Sequence, residues 1–404
     1  MASLGAIPFA GRLFPHDSAA AVKLSGPPPS SIVQELDDAE GEVRPDSNYI
    51  VVRFNGAFDA TSARSKGLEL AQRCLDLMSV LGKADLVTTN ATEESFVSWR
   101  AAGEQRIQLL STTTLSFDVP PANLVVRDPE GDVVEQKTPR AEYHPAFRYF
   151  RLSQVSDDLH EAFRNMYLAF ELLLSSRHPP QMREREKDWL LRAVRATHEE
   201  LDLGRFVRHS TVDVVDEFLA RVYTDTRLPL FHAKMGRNVL TPQTSGQERS
   251  SVLKALELVT PIVLEMSRAW YCARRQGGGV FHAWVYQNLR SMYESARILA
   301  MDDPSPPQAD QRNLNAARYN QAVEFRTEVR EDPDVERAPM LWGEVRVDAL
   351  WEGRLSKIEV VGENSPILAY SFSSPLTLDG FDVFEYCDRT AIRNVRQPRR
   401  FYER

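Results

Sequence analysis

Little cysteine, no long apolar run and no excess of positive charge mark this chain, and each shortage closes a class of function. The three cysteines, Cys74, Cys272 and Cys387, lie far apart with no C-x-x-C pair, so neither a disulfide framework nor a zinc site is indicated. No window approaches the ~18 to 20 consecutive apolar residues that cross a bilayer, and no membrane partner is expected. Met1 to Ala10 lacks the basic start and apolar run of a secretory signal, which makes a cytoplasmic location the expectation. A net charge of −8 argues against a surface that clings to nucleic acid throughout, because phosphate binding concentrates Lys and Arg; a local basic site stays open. There is no Gly-x-x-x-x-Gly-Lys, His-Glu-x-x-His or Gly-x-Ser-x-Gly run, so neither a metal nor a cofactor is indicated.

What is there is a 404-residue chain, 43% hydrophobic, long enough for two or three domains. Residues 1–47 mix small residues, Gly26-Pro27-Pro28-Pro29 and an acidic stretch without sustained periodicity, which reads as a loosely ordered arm. Residues 48–143 read as an α+β domain. Tyr49 to Phe54 is a strand closed by Asn55-Gly56, Thr61 to Leu81 has helical spacing and stops at Gly82, and strands follow around 106–119 and 123–126.

Residues 144–276 change to helical spacing. One long helix carries Leu152, Val155, Leu159, Phe163, Met166, Phe170 and Leu173. A second runs from about Arg183 to Leu203, and a short third is capped by Ser210 or Thr211. A fourth runs from Ser245 through Pro261, which should kink it rather than end it. Together they predict a four-helix bundle. Residues 277–310 read as a helical connector, from Ala283 to Leu299, and a loop. Residues 311–404 alternate as a β-rich domain with strands near 322–326, 344–347, 358–361 and 382–386 and a basic tail. The expected fold class is therefore α+β multidomain: a central all-α four-helix bundle flanked by an N-terminal α+β domain and a C-terminal β-rich domain.

The candidate site is Arg227-Leu228-Pro229-Leu230-Phe231-His232-Ala233-Lys234. An arginine that holds phosphate and a histidine that moves a proton are the minimal equipment for cutting RNA without a metal. The spacing alone carries little, since Arg192 with His198 and Arg275 with His282 are spaced alike. Position separates them. The first pair falls on different faces of a helix, the last straddles three glycines, and only Arg227 and His232 sit on a Pro-interrupted loop between bundle helices, with Lys234 and Arg237 close behind. Set against this, Arg227 could pair with Asp225 or Glu217, and His232 could bond a helix end. Glu171, on the first bundle helix, would orient the loop from inside or stand solvated. Trp342 and Trp351 read as packing residues. The tail arginines Arg389 to Arg404, interleaved with Phe401 and Tyr402, suit RNA contact or a salt-bridged tail.

The order of helices, the run Glu161-Ala162-Phe163-Arg164-Asn165-Met166-Tyr167-Leu168-Ala169-Phe170-Glu171 and the Arg-x-x-x-x-His before the last helix resemble a HEPN domain. The Leu-Phe-His-Ala-Lys form of the motif, with Leu75-Asp76-Leu77-Met78-Ser79-Val80 upstream, is similar to the methylamine-utilisation J-like and Apea-like HEPN proteins. The resemblance implies a helical domain that forms a homodimer, joins two Arg/His loops in one cleft and, in active members, cleaves RNA without a metal, in stress or phage defence. Arg227 would then steady the phosphate, His232 transfer the proton, and Lys234 and Arg237 bind the RNA backbone. The other function implied is a non-catalytic dimerisation scaffold whose flanking domains bind a protein or ligand trigger. One departure stands: where active members often carry a small polar residue after the arginine, this chain has Leu228 and Pro229.

Overall fold

The computed structural model describes residues 2–4, 7–10, 15–88, 94–119, 140–207, 213–231, 240, 246–275, 280–302, 322–332, 337–362, 367–371, 376–394 and 397–398. They fall into two compact units, one of Met1–Leu115 with Val280–Ile392, the other of Ser116–Gly279 with Arg393–Tyr402.

The first unit begins with strands β1 (Ala2–Leu4), β2 (Ile7–Ala10), β3 (Ser18–Lys23), β4 (Ile32–Glu35), β5 (Ala39–Val43) and β6 (Tyr49–Phe54). Helix α1 (Ala60–Val80) and strands β7 (Glu94–Ala101) and β8 (Glu104–Phe117) follow. The second unit holds α2 (Ala146–Val155), α3 (Leu159–Arg177), α4 (Glu186–Leu201), α5 (Val214–Leu219), a π-helical segment (Ala220–Arg227), α6 (Leu228–Phe231) and α7 (Gly246–Tyr271). The chain then returns to the first unit with α8 (His282–Glu294), β9 (Arg297–Met301), β10 (Val323–Glu324), β11 (Arg326–Glu331) and β12 (Pro339–Arg346). The last strands are β13 (Arg354–Leu355), β14 (Lys357–Val361), β15 (Ile367–Ser371), β16 (Leu376–Thr377) and β17 (Val383–Asn394).

The expected architecture of two separate domains flanking a central four-helix bundle is overturned by one sheet. Its nine strands run β11-β12-β17-β8-β7-β3-β6-β5-β4, so both ends of the chain share it. The class is α+β with a large mixed sheet. Between β8 and β17, Gln105 bonds Asp382, Gln108 bonds Glu385 and Thr112 bonds Arg389. The partners advance together along both strands, which marks the pair as parallel; a parallel pair needs a long crossover, and here it contains the whole helical unit. Two four-stranded sheets, β13-β16-β1-β2 and β10-β9-β14-β15, complete this unit.

The sheet has two differently covered faces. One carries Ala19, Ala21, Phe96, Ile107, Leu109, Leu341, Phe384 and Tyr386, buried against Leu289 and Tyr293 of α8 and Ile298 and Ile358 of a smaller sheet. On the other, Ala20, Val52, Phe54, Val97 and Trp99 pack under Leu70, Ala71, Cys74 and Met78 of α1. Helix α1 begins where Asp59 caps Ser62 N, with Ser62 answering as a capping box. It lies so close that a Cβ on Gly67 would fall 2.2 Å from Ala20 Cβ, and one on Gly41 would fall 2.6 Å from Cys74 Sγ. We expect Gly67→Val to destabilise the protein by about 1–3 kcal/mol through overpacking, read as a lowered urea midpoint for the full chain. An unchanged midpoint would mean that α1 can lift off β3 at no cost.

The presumed loose arm, residues 1–47, instead carries five of these strands, three of them inside the large sheet. The expected helix over 283–299 stops at Glu294 and gives way to β9. The expected strand at 123–126 lies outside the described residues.

In the helical unit the single long helix expected over 152–173 is two. α2 ends at Val155, and α3 restarts with Asp158 accepting from Glu161 N at 2.8 Å. Helix α3 packs against both α2 and α7, burying Phe163, Met166, Phe170 and Leu173 with Val252, Val259 and Val263. Helix α7 runs on through Pro261. The cap of α5 is Asp213, which accepts from Val215 N and Asp216 N; Ser210 and Thr211 lie outside the described residues. Among the described residues no helix is long and apolar enough to cross a membrane.

Candidate functional site around Arg227

The stretch expected to be a Pro-broken loop is helical up to Phe231. Residues Val214 to Phe231 continue from α5 through the π-helical segment into α6 without leaving helical backbone. Pro229 explains the wide turn. Its ring would clash with the carbonyl four residues back and it has no N–H to give, and the backbone answers by widening: Leu228 N–H reaches back five residues to Tyr223 O. The Thr226 hydroxyl spans the same interval, donating to Arg221 O at 2.8 Å. Such π turns recur at functional sites because they re-aim side chains.

The side chain re-aimed here is Arg227, the last residue of the π segment. Tyr223, Arg227 and Phe231 are spaced four apart and share a helix face. The guanidinium carbon lies 5.4 Å from the Tyr223 ring centroid, 5.3 Å from Phe231 and 5.7 Å from Tyr167 of α3. Three ring faces attract the cation. Its NH2 pairs with Glu186 Oε1 at 2.8 Å, where the Arg227 side chain is 12% exposed and that of Glu186 47%. Glu186 opens α4, so the pair joins the start of α4 to the end of the π segment. Neither Asp225 nor Glu217 serves as the ion-pair partner foreseen for Arg227; Glu217 pairs with Arg221.

Glu171 stands one turn beyond Tyr167 on α3, half-buried rather than solvated. Burial raises its pKa; Arg227 opposes that rise and Glu186 adds to it. The Tyr167 hydroxyl is pushed up by burial first and by Glu171 next, with Arg227 again opposing. Arg227 is thus the cation around which Glu171, Glu186, Tyr167 and Tyr223 are electrostatically arranged.

His232, Lys234 and Arg237 lie outside the described residues, so of the five residues singled out by sequence the structure places Arg227 and Glu171, and brings those two together. The competing Arg192 and His198 serve local structure: Arg192 bonds Glu184, and His198 Nδ1 accepts from Leu203 N. Of the basic tail, Arg389 belongs to β17, where it bonds Thr112 and pairs with Asp332; Phe401, Tyr402 and Arg404 are outside the described residues. Trp351 packs against the sheet core as expected of a packing residue.

The sequence reading missed Tyr167, Tyr223, Phe231 and Glu186. The three aromatics carried a signal, the four-residue spacing of Tyr223, Arg227 and Phe231 and of Tyr167 and Glu171. Glu186 carried none, since its approach depends on how α4 folds back. Also missed was His160, buried in the second position of α3 with no hydrogen bond to either ring nitrogen; burial lowers its pKa. Comparison with protein-family models, with curated proteins and with solved structures finds no match for this chain.

Proposed function

We propose that Arg227 and His232 form a metal-independent ribonuclease site of the HEPN kind, completed by a second copy of the chain in a homodimer. The observation that carries the reading is the guanidinium of Arg227, held among three rings and met by a half-exposed carboxylate. Glu186 occupies the place of an oxyanion, and a phosphate of RNA would displace it, because guanidinium geometry suits either partner. The ribose O2′ attacks the adjacent phosphorus, the O2′–P bond forms and the P–O5′ bond breaks. One proton passes from O2′ to O5′ with His232 as carrier, and the products are a 2′,3′-cyclic phosphate and a 5′-hydroxyl. Lys234 and Arg237 bind neighbouring phosphates. A role in stress or phage defence, with the sheet unit restraining the nuclease or sensing a trigger, belongs to the same proposal.

The test is cleavage of single-stranded RNA by the full chain in EDTA, with Arg227→Lys as control. Lysine keeps the charge and loses the fork. Glu186→Gln gives a sharper result: removing the competing carboxylate should tighten RNA binding about two- to fivefold, the scale of a solvent-screened ion pair, measured by fluorescence anisotropy. Weaker binding in that variant would mean that Glu186 positions Arg227 rather than competes for it.

The second reading, a non-catalytic dimerisation scaffold, is favoured by one observation: the Arg227 side chain is almost enclosed, which is what a purely structural arginine requires. Under it, Arg227→Lys lowers stability and no RNA is cut by any form of the protein.

A further inference from the structure

The helical unit opens with a stretch whose charge is opposite in sign to that of the whole chain. From Arg140 to Val155 there are three arginines, Arg140, Arg148 and Arg151, against one acid, Glu142, in a chain of net charge −8. The same stretch holds the rings of Tyr143, His144, Phe147, Tyr149 and Phe150. Helical periodicity divides α2 into two faces. Ala146 and Ser153 are fully buried, and Phe147, Tyr149 and Phe150 pack partly against the same core. Arg148, Arg151, Leu152 and Val155 share the opposite face and are exposed.

The rings at the start of α2 form a braced cluster. Tyr143 and Phe147 meet edge to face with centroids 6.4 Å apart, and Phe147 meets Tyr271 in the same way at 6.1 Å. His144 lies 4.6 Å from the Tyr271 ring. Tyr271 ends α7 and is fixed twice: its carbonyl accepts from Glu142 N at 2.8 Å, and its hydroxyl lies 3.0 Å from the Ser176 hydroxyl near the end of α3. Tyr143, at the rim of the cluster, is 72% exposed, so a planar group can reach its ring. Arg275 stands 5.7 Å over the Phe150 ring, which brings the exit of α7 alongside α2. Arg148, Arg151 and, at that exit, Arg274 are exposed, and no carboxylate among the described residues pairs with any of the three.

We infer that the outer face of α2 and the exit of α7 bind single-stranded RNA, with a base stacked on Tyr143 and phosphates held by Arg148, Arg151 and Arg274. Exposed arginines beside an accessible ring are the two parts of a single-strand site: charge that follows the backbone, and a π face that any base can use. A lipid surface would need the aromatic side of α2 turned outward, and that side is packed on the core. An acidic peptide would engage the arginines and leave the Tyr143 ring without a role. The choice of RNA over DNA rests on the ribonuclease reading of Arg227 and His232; the surface itself does not, since it shares no residue with that site.

Fluorescence anisotropy of a labelled single-stranded RNA tests it, using the full chain with His232→Ala in EDTA so that binding is read without cleavage. A duplex of the same sequence, polyglutamate and phosphatidylserine vesicles serve as comparators. The expected result is saturable binding of the single strand, with every comparator weaker. Tyr143→Ala should weaken binding roughly fivefold or more, the loss of one stacked base, at an unchanged salt slope, and Tyr143→Phe should bind like the parent. Arg148→Gln with Arg151→Gln should lower the slope of log K against log salt by about 1.4, two phosphate contacts at ~0.7 each. The inference is overturned if no RNA binds saturably, if any comparator binds as tightly as the single strand, or if Tyr143→Ala and the double arginine variant both keep the parent's affinity and slope. RNA bound through these residues but left intact by the natural chain would overturn the ribonuclease reading alone. Cleavage that needs Arg227 and His232, with both surface variants binding normally, would overturn this inference alone.

Discussion

Asp388→Asn is expected to stabilise the sheet unit at about pH 8 and to flatten its dependence on pH from about 5 upward. Asp388 points from β17 into the core against α8 and is 2% exposed. The Tyr293 hydroxyl donates to its Oδ2 at 2.6 Å, and no hydrogen bond reaches its Oδ1. Burial pushes the carboxyl from its ordinary 3.8 up to about 7, against the opposing effect of the Tyr293 bond. The sign follows directly. In the unfolded chain the group titrates near its ordinary value, so between about pH 4 and 7 the folded protein binds the extra proton. The stability linked to that proton is complete below the lower value and is lost as pH rises through the upper one. The whole shift corresponds to the order of 4 kcal/mol, of which about 2–3 kcal/mol falls between pH 5 and 8. Asparagine keeps an acceptor for Tyr293 and cannot ionise. Hydrogen exchange of peptides from α8 and β17, corrected for intrinsic rates, should show protection falling with pH in the natural chain and level in the variant. Parallel pH slopes in the two proteins would show that Asp388 does not titrate in the folded unit.

Local structure was largely legible in the sequence. The apolar spacing of 61–81 marks α1 to within a residue or two at each end, and the run of strand formers at 49–54, closed by Asn55-Gly56, marks β6. What failed was everything set by long-range pairing. β8 and β17 each read as strands in part, but nothing in either strand says that they lie side by side with the helical unit between them in sequence, so one sheet read as two domains. β3 was missed because Ser18-Ala19-Ala20-Ala21-Val22-Lys23 looks too small to be a buried strand; the small side chains are what let Gly67 of α1 approach so closely. Around Arg227 the sequence misjudged the backbone, since Pro229 was read as a break where the chain continues through a π turn. Glu186 was beyond reach, because its approach to Arg227 needs two elements docked against each other.

In the helical unit the largest effect is expected from His232→Ala, a loss of about 10²- to 10⁴-fold in RNA cleavage if His232 carries the proton between O2′ and O5′. Arg227→Lys should cost about 10²- to 10³-fold by removing a preorganised donor to the charge that builds on phosphate. The two losses should not add, because groups that serve one transition state fail together. Lysine is the better probe than alanine, since it fills the space among Tyr167, Tyr223 and Phe231 and leaves Glu186 a cation. Thermal unfolding separates the outcomes: a variant that melts like the natural chain and has lost cleavage has lost chemistry. The pH dependence carries a second check. Burial and Glu186 hold Glu171 above the usual carboxylate range, and Glu186→Gln removes one of those two causes, so the acidic limb of any pH–rate profile governed by Glu171 should move to lower pH.

The most direct measurement is the chemistry of the cut ends. The full chain, incubated in EDTA with a 5′-labelled single-stranded RNA, should yield fragments ending in a 2′,3′-cyclic phosphate and new 5′-hydroxyls, and His232→Ala should yield none. Intact RNA with the natural chain, or cleavage that persists undiminished in His232→Ala, would contradict the assignment of Arg227 and His232 as a ribonuclease site.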